Sequence, residues 1–206
     1  MNVKPMMKMV LKNNRRTAIL GGGCILTLAS LPFLNTNKFS PSVFVSRNGD
    51  RQWGKIGMKV IMFSSVGCPF CIKWENNYFN HFVQQYVKTN KVVFILRDSP
   101  RNHSALLASA FLTAFSSLDD YFSIRQRMHV DMKTVLLEAQ NGKLGSEGAE
   151  ATRRMNDTDF VKQINEEFYQ DIRTFGIGGT PTFCSPEKRS VLGAETPEYI
   201  TRKFDI

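Results

Sequence analysis

Two cysteines, Cys68 and Cys71, stand two residues apart in the run Ser64-Ser65-Val66-Gly67-Cys68-Pro69-Phe70-Cys71. Thiols at this spacing can close a disulfide, and the chemistry they suit is thiol–disulfide exchange. Only a thiolate attacks a disulfide, so one of the pair must ionise readily near neutral pH. A cysteine at a helix N-terminus meets unpaired N–H groups and the positive end of the helix dipole, both of which favour the anion. Cys68 lies at such a cap, which makes it the attacking thiol. Cys71, one turn inward, is more shielded and is the natural resolving thiol. Other uses of the pair fit less well. A zinc site needs a second Cys-x-x-Cys or a Cys/His pair. Neither is present, and His81, His103 and His129 are scattered and read as surface or helix-face residues. A structural disulfide over so short a loop would constrain the unfolded chain little. No metal and no cofactor is expected.

The elements that must hold these thiols follow from the pattern around them. Lys59-Val-Ile-Met-Phe63 is a short apolar run that reads as a buried strand leading into Ser64. Phe70, Trp74, Tyr78, Phe82 and Tyr86 then recur every four residues as one wide helical stripe. Pro69 suits the first turn, where its missing N–H costs nothing. Lys91 to Leu96 is the next strand, and strand–helix–strand order implies a right-handed crossover between parallel strands. Residues 99–173 read as mostly helical. Ser104 is placed to cap a buried helix over 105–115, and shorter helices are expected near Asp119–Met128 and Asp131–Glu138. Gly142, Gly145 and Gly148 mark 140–156 as a mobile loop. Phe160, Ile164, Phe168 and Ile172 define an amphipathic helix that Gly176 ends. Thr180 to Cys184 is β-prone and pairs with Ser190-Val-Leu192. Thr196 caps a final helix that opens at Pro197. Upstream, Val43-Phe44-Val45 is a candidate strand turned by Asn48-Gly49.

Charge and the first 34 residues bound the setting. The net charge is +9, but no acidic residue precedes Asp50, and Lys4, Lys8, Lys12, Arg15 and Arg16 supply five of the nine. The +4 that remains does not describe a nucleic-acid binder. Those five cations lead into an uncharged apolar run from Thr17 to Leu34. That is the composition of a signal peptide or of an N-terminal membrane anchor. Arg15-Arg16 is a weak match to a twin-arginine export signal, and Cys24 lacks the leucine a lipoprotein signal would place at Gly21. Beyond this leader three cysteines remain, too few for a disulfide scaffold. A close pair and a single in an oxidising compartment point to catalysis.

Cys68-Pro-Phe-Cys71 after a strand, then a long helical stretch, then Gly176-Ile-Gly-Gly-Thr-Pro-Thr-Phe183, resembles the DsbA-like branch of the thioredoxin superfamily over roughly residues 55–206. The resemblance implies an α/β thioredoxin fold with an inserted helical subdomain. Residues 59–98 and 174–206 would form the thioredoxin-like domain, 99–173 the insert and 35–58 an N-terminal extension. It implies that Thr180–Pro181 is cis and sits beside the cysteines, with Thr180 N–H and C=O open to an extended substrate strand. Pro69, Phe70, Thr180 and Pro181 would then contact substrate. It further implies a monomeric oxidoreductase of the periplasm or cell envelope. This would act on exported cysteine-containing proteins and be recycled by a membrane or soluble redox partner.

Two departures leave the direction of electron flow open. Many relatives carry an acid six residues before the first cysteine, where Met62 stands here. No acidic residue occurs in 51–74, which leaves water, Lys59, Lys73 or a more distant residue to move the Cys71 proton. Thr180 replaces the valine of the best-known oxidases. Phe70 cannot donate a hydrogen bond to the Cys68 thiolate, which predicts a pKa above the ~3.5 of a strong oxidant and a more reducing couple. A reductase or isomerase of the same fold, and a peptide-binding chaperone with incidental thiols, are the rival functions. Cys184 reads either as a small buried residue or as a third redox thiol, and alternation alone does not say which sheet face it occupies.

Overall fold

The computed structural model describes residues 46–47, 49–186 and 190–206. The leader, Cys24 and the strand expected at Val43-Phe44-Val45 lie outside them. Among the described residues, no helix is long and apolar enough to cross a membrane.

The described residues contain one five-stranded sheet built from β1 (Arg51–Trp53), β2 (Met58–Ser64), β3 (Val92–Asp98), β4 (Thr182–Cys184) and β5 (Val191–Leu192), in spatial order β1-β3-β2-β4-β5. β2 and β3 run parallel, from Met58 beside Val92 to Ser64 beside Asp98. The other pairs are antiparallel. Side chains alternate across the pleat, so the apolar run of β2 serves two cores. Val60, Met62, Phe94, Leu96 and Phe183 join one core. Ile61, Phe63, Val93, Ile95 and Cys184 join the other, closed by Phe175 and Ile177. A strand buried on both faces reads as continuous apolar sequence, as β2 does.

The first core positions the thiols. α1 (Pro69–Asn77) lays Trp74 on the sheet, fully buried against Phe82, Phe94 and Phe183, with centroids 4.9–5.8 Å apart. The Trp74 indole N–H donates to the Glu195 carbonyl at 2.9 Å. The continuous helix expected through Tyr86 is instead broken. α1 stops at Asn77, α2 spans Phe79–Phe82, and a wide π-type turn follows over Val83–Val87. Residues spaced by four drift about 40° per step on a 3.6-residue helix. The break and the wide turn restore the facing, so Trp74, Phe79, Phe82 and Val87 all stay buried.

Four helices lie between β3 and β4. α3 (His103–Leu112) is capped by Asn102, whose side-chain oxygen accepts from Ala105 N at 2.8 Å, and not by Ser104. α4 (Leu118–Gln140) contains a break at Asp131 (φ −150°, ψ 85°), so it is in effect the two helices expected there. The Asp131 carboxylate caps the second of them by accepting from Thr134 N at 3.0 Å.

The glycine-bearing stretch after α4 is not a loop. Residues Gly145–Asn156 form α5. Small residues let this helix pack closely. Ala151 is fully buried, and a Cβ on Gly148 would lie 2.5 Å from that of Leu144, the residue at the start of the same helix. Glu150 holds both Arg153 and Arg154 at 2.7 Å. α6 (Thr158–Phe175) starts at the Asp157 cap and stops at Gly176, which takes the left-handed conformation (φ +64°). α7 (Pro197–Lys203) follows Thr196, whose hydroxyl accepts from Tyr199 N.

Candidate active site

β2 ends at Ser64, and a short turn brings the chain into α1. Gly67 supplies the positive φ (+78°) that this turn requires. Cys68 N donates to Ser65 O at 3.2 Å, and Cys68 itself is the N-cap of α1 with Pro69 in the first turn. Pro69 is exposed and Phe70 is 62% exposed beside the partly exposed Cys68, while Cys71 is fully buried one turn inside. Strand end, glycine turn and helix cap thus produce one accessible and one shielded thiol.

The two sulfurs are held in opposite states of charge. The Cys68 thiol is lowered to about 5. Its largest stabiliser is the hydrogen bond from the Cys71 thiol, which outweighs partial burial. The Thr180 side chain and the Phe70 and Cys71 N–H groups add to it. The helix N-terminus therefore contributes as expected, but less than the partner thiol. Burial pushes Cys71 far up, and its bond to Cys68 pushes it the same way. The rate of Cys68 alkylation should rise with pH through about 5 and be flat from 7 to 8. Iodoacetamide kinetics check this, and a midpoint near 9 would overturn it.

Thr180 and Pro181 stand opposite. Their peptide bond is cis. The Thr180 carbonyl lies 3.3 Å from Cys68 Sγ and accepts from it in the thiol form. That carbonyl therefore faces the Cys68 sulfur, whereas the resemblance implies that both backbone groups of Thr180 stand open. Chain segments 112 residues apart in sequence meet at this contact. The structure brings Cys68, Cys71, Pro69, Phe70, Thr180 and Pro181 into one site.

Cys184 is elsewhere. Its register partner is Ile61, and it packs on the sheet face opposite α1, 2% exposed. Burial, with the Asp171 charge adding to it, pushes its pKa up to about 12. It is a core residue, and the relay reading is set aside.

The polar surroundings of Cys71 come from residues that sequence inspection passed over. Met62 is buried in the core, and Lys59 and Lys73 are exposed. The Ser64 side chain beside Cys71 works against the upward shift of that thiol. Its hydroxyl also donates to Glu75 Oε1 at 2.8 Å and accepts from Arg125 Nη2 at 2.7 Å. Glu75 is fully enclosed. It pairs with Arg125 Nε at 3.2 Å and with His129 Nε2 at 3.0 Å. Arg125 in turn reaches Asp98 at 2.5 Å and Tyr121 Oη at 3.3 Å. Burial raises the Glu75 carboxyl, but Arg125, His129 and Ser64 together bring it below its ordinary value. The available signal was spacing. Glu75 lies four residues after Cys71, hence on the same helix face.

A family model described as thioredoxin matches residues 57–202, and the chain belongs to that family. Its particular fold is DsbA-like, a thioredoxin core with helices inserted between β3 and β4. Wolbachia pipientis alpha-DsbA1 is similar at 20% identity, with 81% of this chain and 94% of that one covered and a TM-score of 0.66. BdbD from Bacillus subtilis shares 15% identity over 78% and 93%, with a TM-score of 0.63. DsbA of Chlamydia trachomatis shares 15% over 73% and 87%, with a TM-score of 0.56. Among curated proteins none matches the chain in sequence.

Proposed function

We propose that this protein is an extracytoplasmic thiol–disulfide oxidoreductase that forms or exchanges disulfides in exported proteins through Cys68 and Cys71. The observation that carries this reading is the split between the two thiols: one exposed, at a helix cap and largely ionised at neutral pH, the other buried and protonated. In the oxidising direction a substrate thiolate attacks Cys68 of the Cys68–Cys71 disulfide, and Cys71 leaves and takes up a proton. A second substrate thiolate then attacks the substrate sulfur of the mixed disulfide and releases Cys68 as a thiolate. The substrate is oxidised by two electrons and the pair is reduced by two. Pro69, Phe70, Thr180 and Pro181 supply the surface against which the substrate chain lies. The basic, then apolar, residues 1–34 direct the domain out of the cytoplasm or anchor it there. A membrane or soluble partner reoxidises the pair.

Stabilising the Cys68 thiolate stabilises the reduced pair, which makes the disulfide the more oxidising. This favours disulfide formation over the reductase reading. Equilibration with glutathione buffers measures it. A potential near about −120 mV supports an oxidase, whereas one near about −270 mV assigns the reductase direction.

The Cys71→Ala chain, expressed in its own host, should accumulate mixed disulfides with exported proteins. Non-reducing electrophoresis with and without a reductant detects them. If clients bind but no adduct is released by reductant, the protein is a peptide-binding chaperone and exchange is not its function.

A further inference from the structure

We propose that His129 is a positioning residue for Cys68. It would act by holding the Gly67 peptide through the acceptor nitrogen of its neutral ring. This rests on the exchange reading above.

His129 comes from α4, far from the thiols in sequence, yet its side chain is only 3% exposed and is wedged between α1 and the turn before Cys68. Gly67 N donates to His129 Nδ1 at 3.0 Å. A backbone N–H can only donate, so Nδ1 must carry the lone pair and the ring proton must sit on Nε2. Nε2 lies 3.0 Å from Glu75 Oε2 and donates to it. Glu75 is itself fixed from the far side by Arg125 and Ser64. The tautomer is thereby set by the protein, and the ring acts as a rigid spacer between a buried carboxylate and one backbone amide.

That amide is significant because of its position. Gly67 directly precedes the nucleophile and holds a positive φ, so rotation about its bonds swings Cys68 relative to Thr180. Apart from its peptide links, the turn has few anchors, Cys68 N to Ser65 O at 3.2 Å being one. The Gly67–His129 bond ties the backbone N–H just before Cys68 to another element, in addition to the burial of Val66 in the core and the contact of Cys68 Sγ with Thr180 O. A nucleophile displaced by about 1 Å can lose 10²-fold in rate, so an anchor of this kind has a kinetic role.

The test is the rate at which reduced protein reacts with a small aromatic disulfide, with thermal melts alongside. His129→Ala should slow Cys68 by roughly 10-fold. His129→Gln should stay within about twofold of the unaltered chain, because its amide oxygen can accept from Gly67 and its NH2 can donate to Glu75. An alanine variant as fast as the unaltered chain overturns the proposal. So does a glutamine variant as slow as alanine at equal folded fraction, since the two hydrogen bonds would then not be what matters. Long-range ¹H–¹⁵N spectra of the unaltered protein decide the matter even if the alanine variant does not fold. A proton on Nε2 supports the assignment, and one on Nδ1 overturns it. Failure of the unaltered chain to react at all would count against the exchange reading, and the spectra would still report on His129.

Discussion

Replacing Cys68 by Ser should abolish thiol–disulfide exchange, with a loss of at least about 10³-fold, the scale on which removing a nucleophile acts. Insulin reduction and the reoxidation of a reduced model substrate both read it. The loss is electrostatic as well as covalent. A serine hydroxyl in the same place meets the same Phe70, Cys71 and Thr180 groups that lower Cys68 to about 5. However, it stays protonated and forms no disulfide. Cys71 cannot substitute, because burial holds it protonated. Cys184 cannot substitute either, being on the other face of the sheet. Retention of a tenth of the activity would mean that another thiol carries the reaction and that the site has been wrongly located. The fold should be untouched, since Ser and Cys differ little in volume.

The second large effect concerns the fold. Arg125→Met should lower unfolding free energy by about 3–5 kcal/mol, because it leaves the buried Glu75 carboxylate without its main counter-charge. For a domain of this size that is a fall in Tm of roughly 6–20 °C, read by circular dichroism. The side chains of Arg125 and Glu75 are 0% and 1% exposed, so solvent does not screen the pair. Replacing both ions, as Arg125→Met with Glu75→Leu, should recover most of the loss, since apolar substitutes for buried pairs are often neutral. If the single substitution costs less than about 1 kcal/mol, water reaches Glu75 and the network is not what closes this part of the core.

Much of this arrangement is legible in the sequence. The strand before Cys68, the helix that follows, the parallel return strand and the Thr180-Pro181 segment all carry strong local signals. Period, cap and spacing are enough for the first three, apart from the break after Asn77, whereas the cis bond of Thr180-Pro181 and its place beside the thiols are what the DsbA-like resemblance implies. What is not legible there shares one physical origin: it depends on which side chains meet in three dimensions. His129 looks like any helix histidine until α4 is folded onto α1. Glu75 sits one residue past the acid-free stretch 51–74, and its burial is tolerable only because Arg125 arrives from 50 residues away. Gly145 and Gly148 read as loop residues because propensity penalises them, yet Gly145 opens α5 with a positive φ (+62°) and a Cβ on Gly148 would collide with that of Leu144 at the helix start. The face on which Cys184 lies needed the register of β4 on β2, which a period of two cannot supply by itself.

The helices between β3 and β4 are, topologically, an insertion, and insertions are usually the parts of a domain that can be exchanged or trimmed. Arg125 and His129 make this one different. Both belong to the insert, while the carboxylate they neutralise and the peptide they grip belong to the core. A core stripped of its insert would carry a buried anion with no cation and a turn before Cys68 without the hydrogen bond at Gly67 N. The two parts are therefore not modular. A chimera that grafts another insert onto this core inherits the obligation to return one arginine and one hydrogen-bonding ring, or their equivalents, to the same two places.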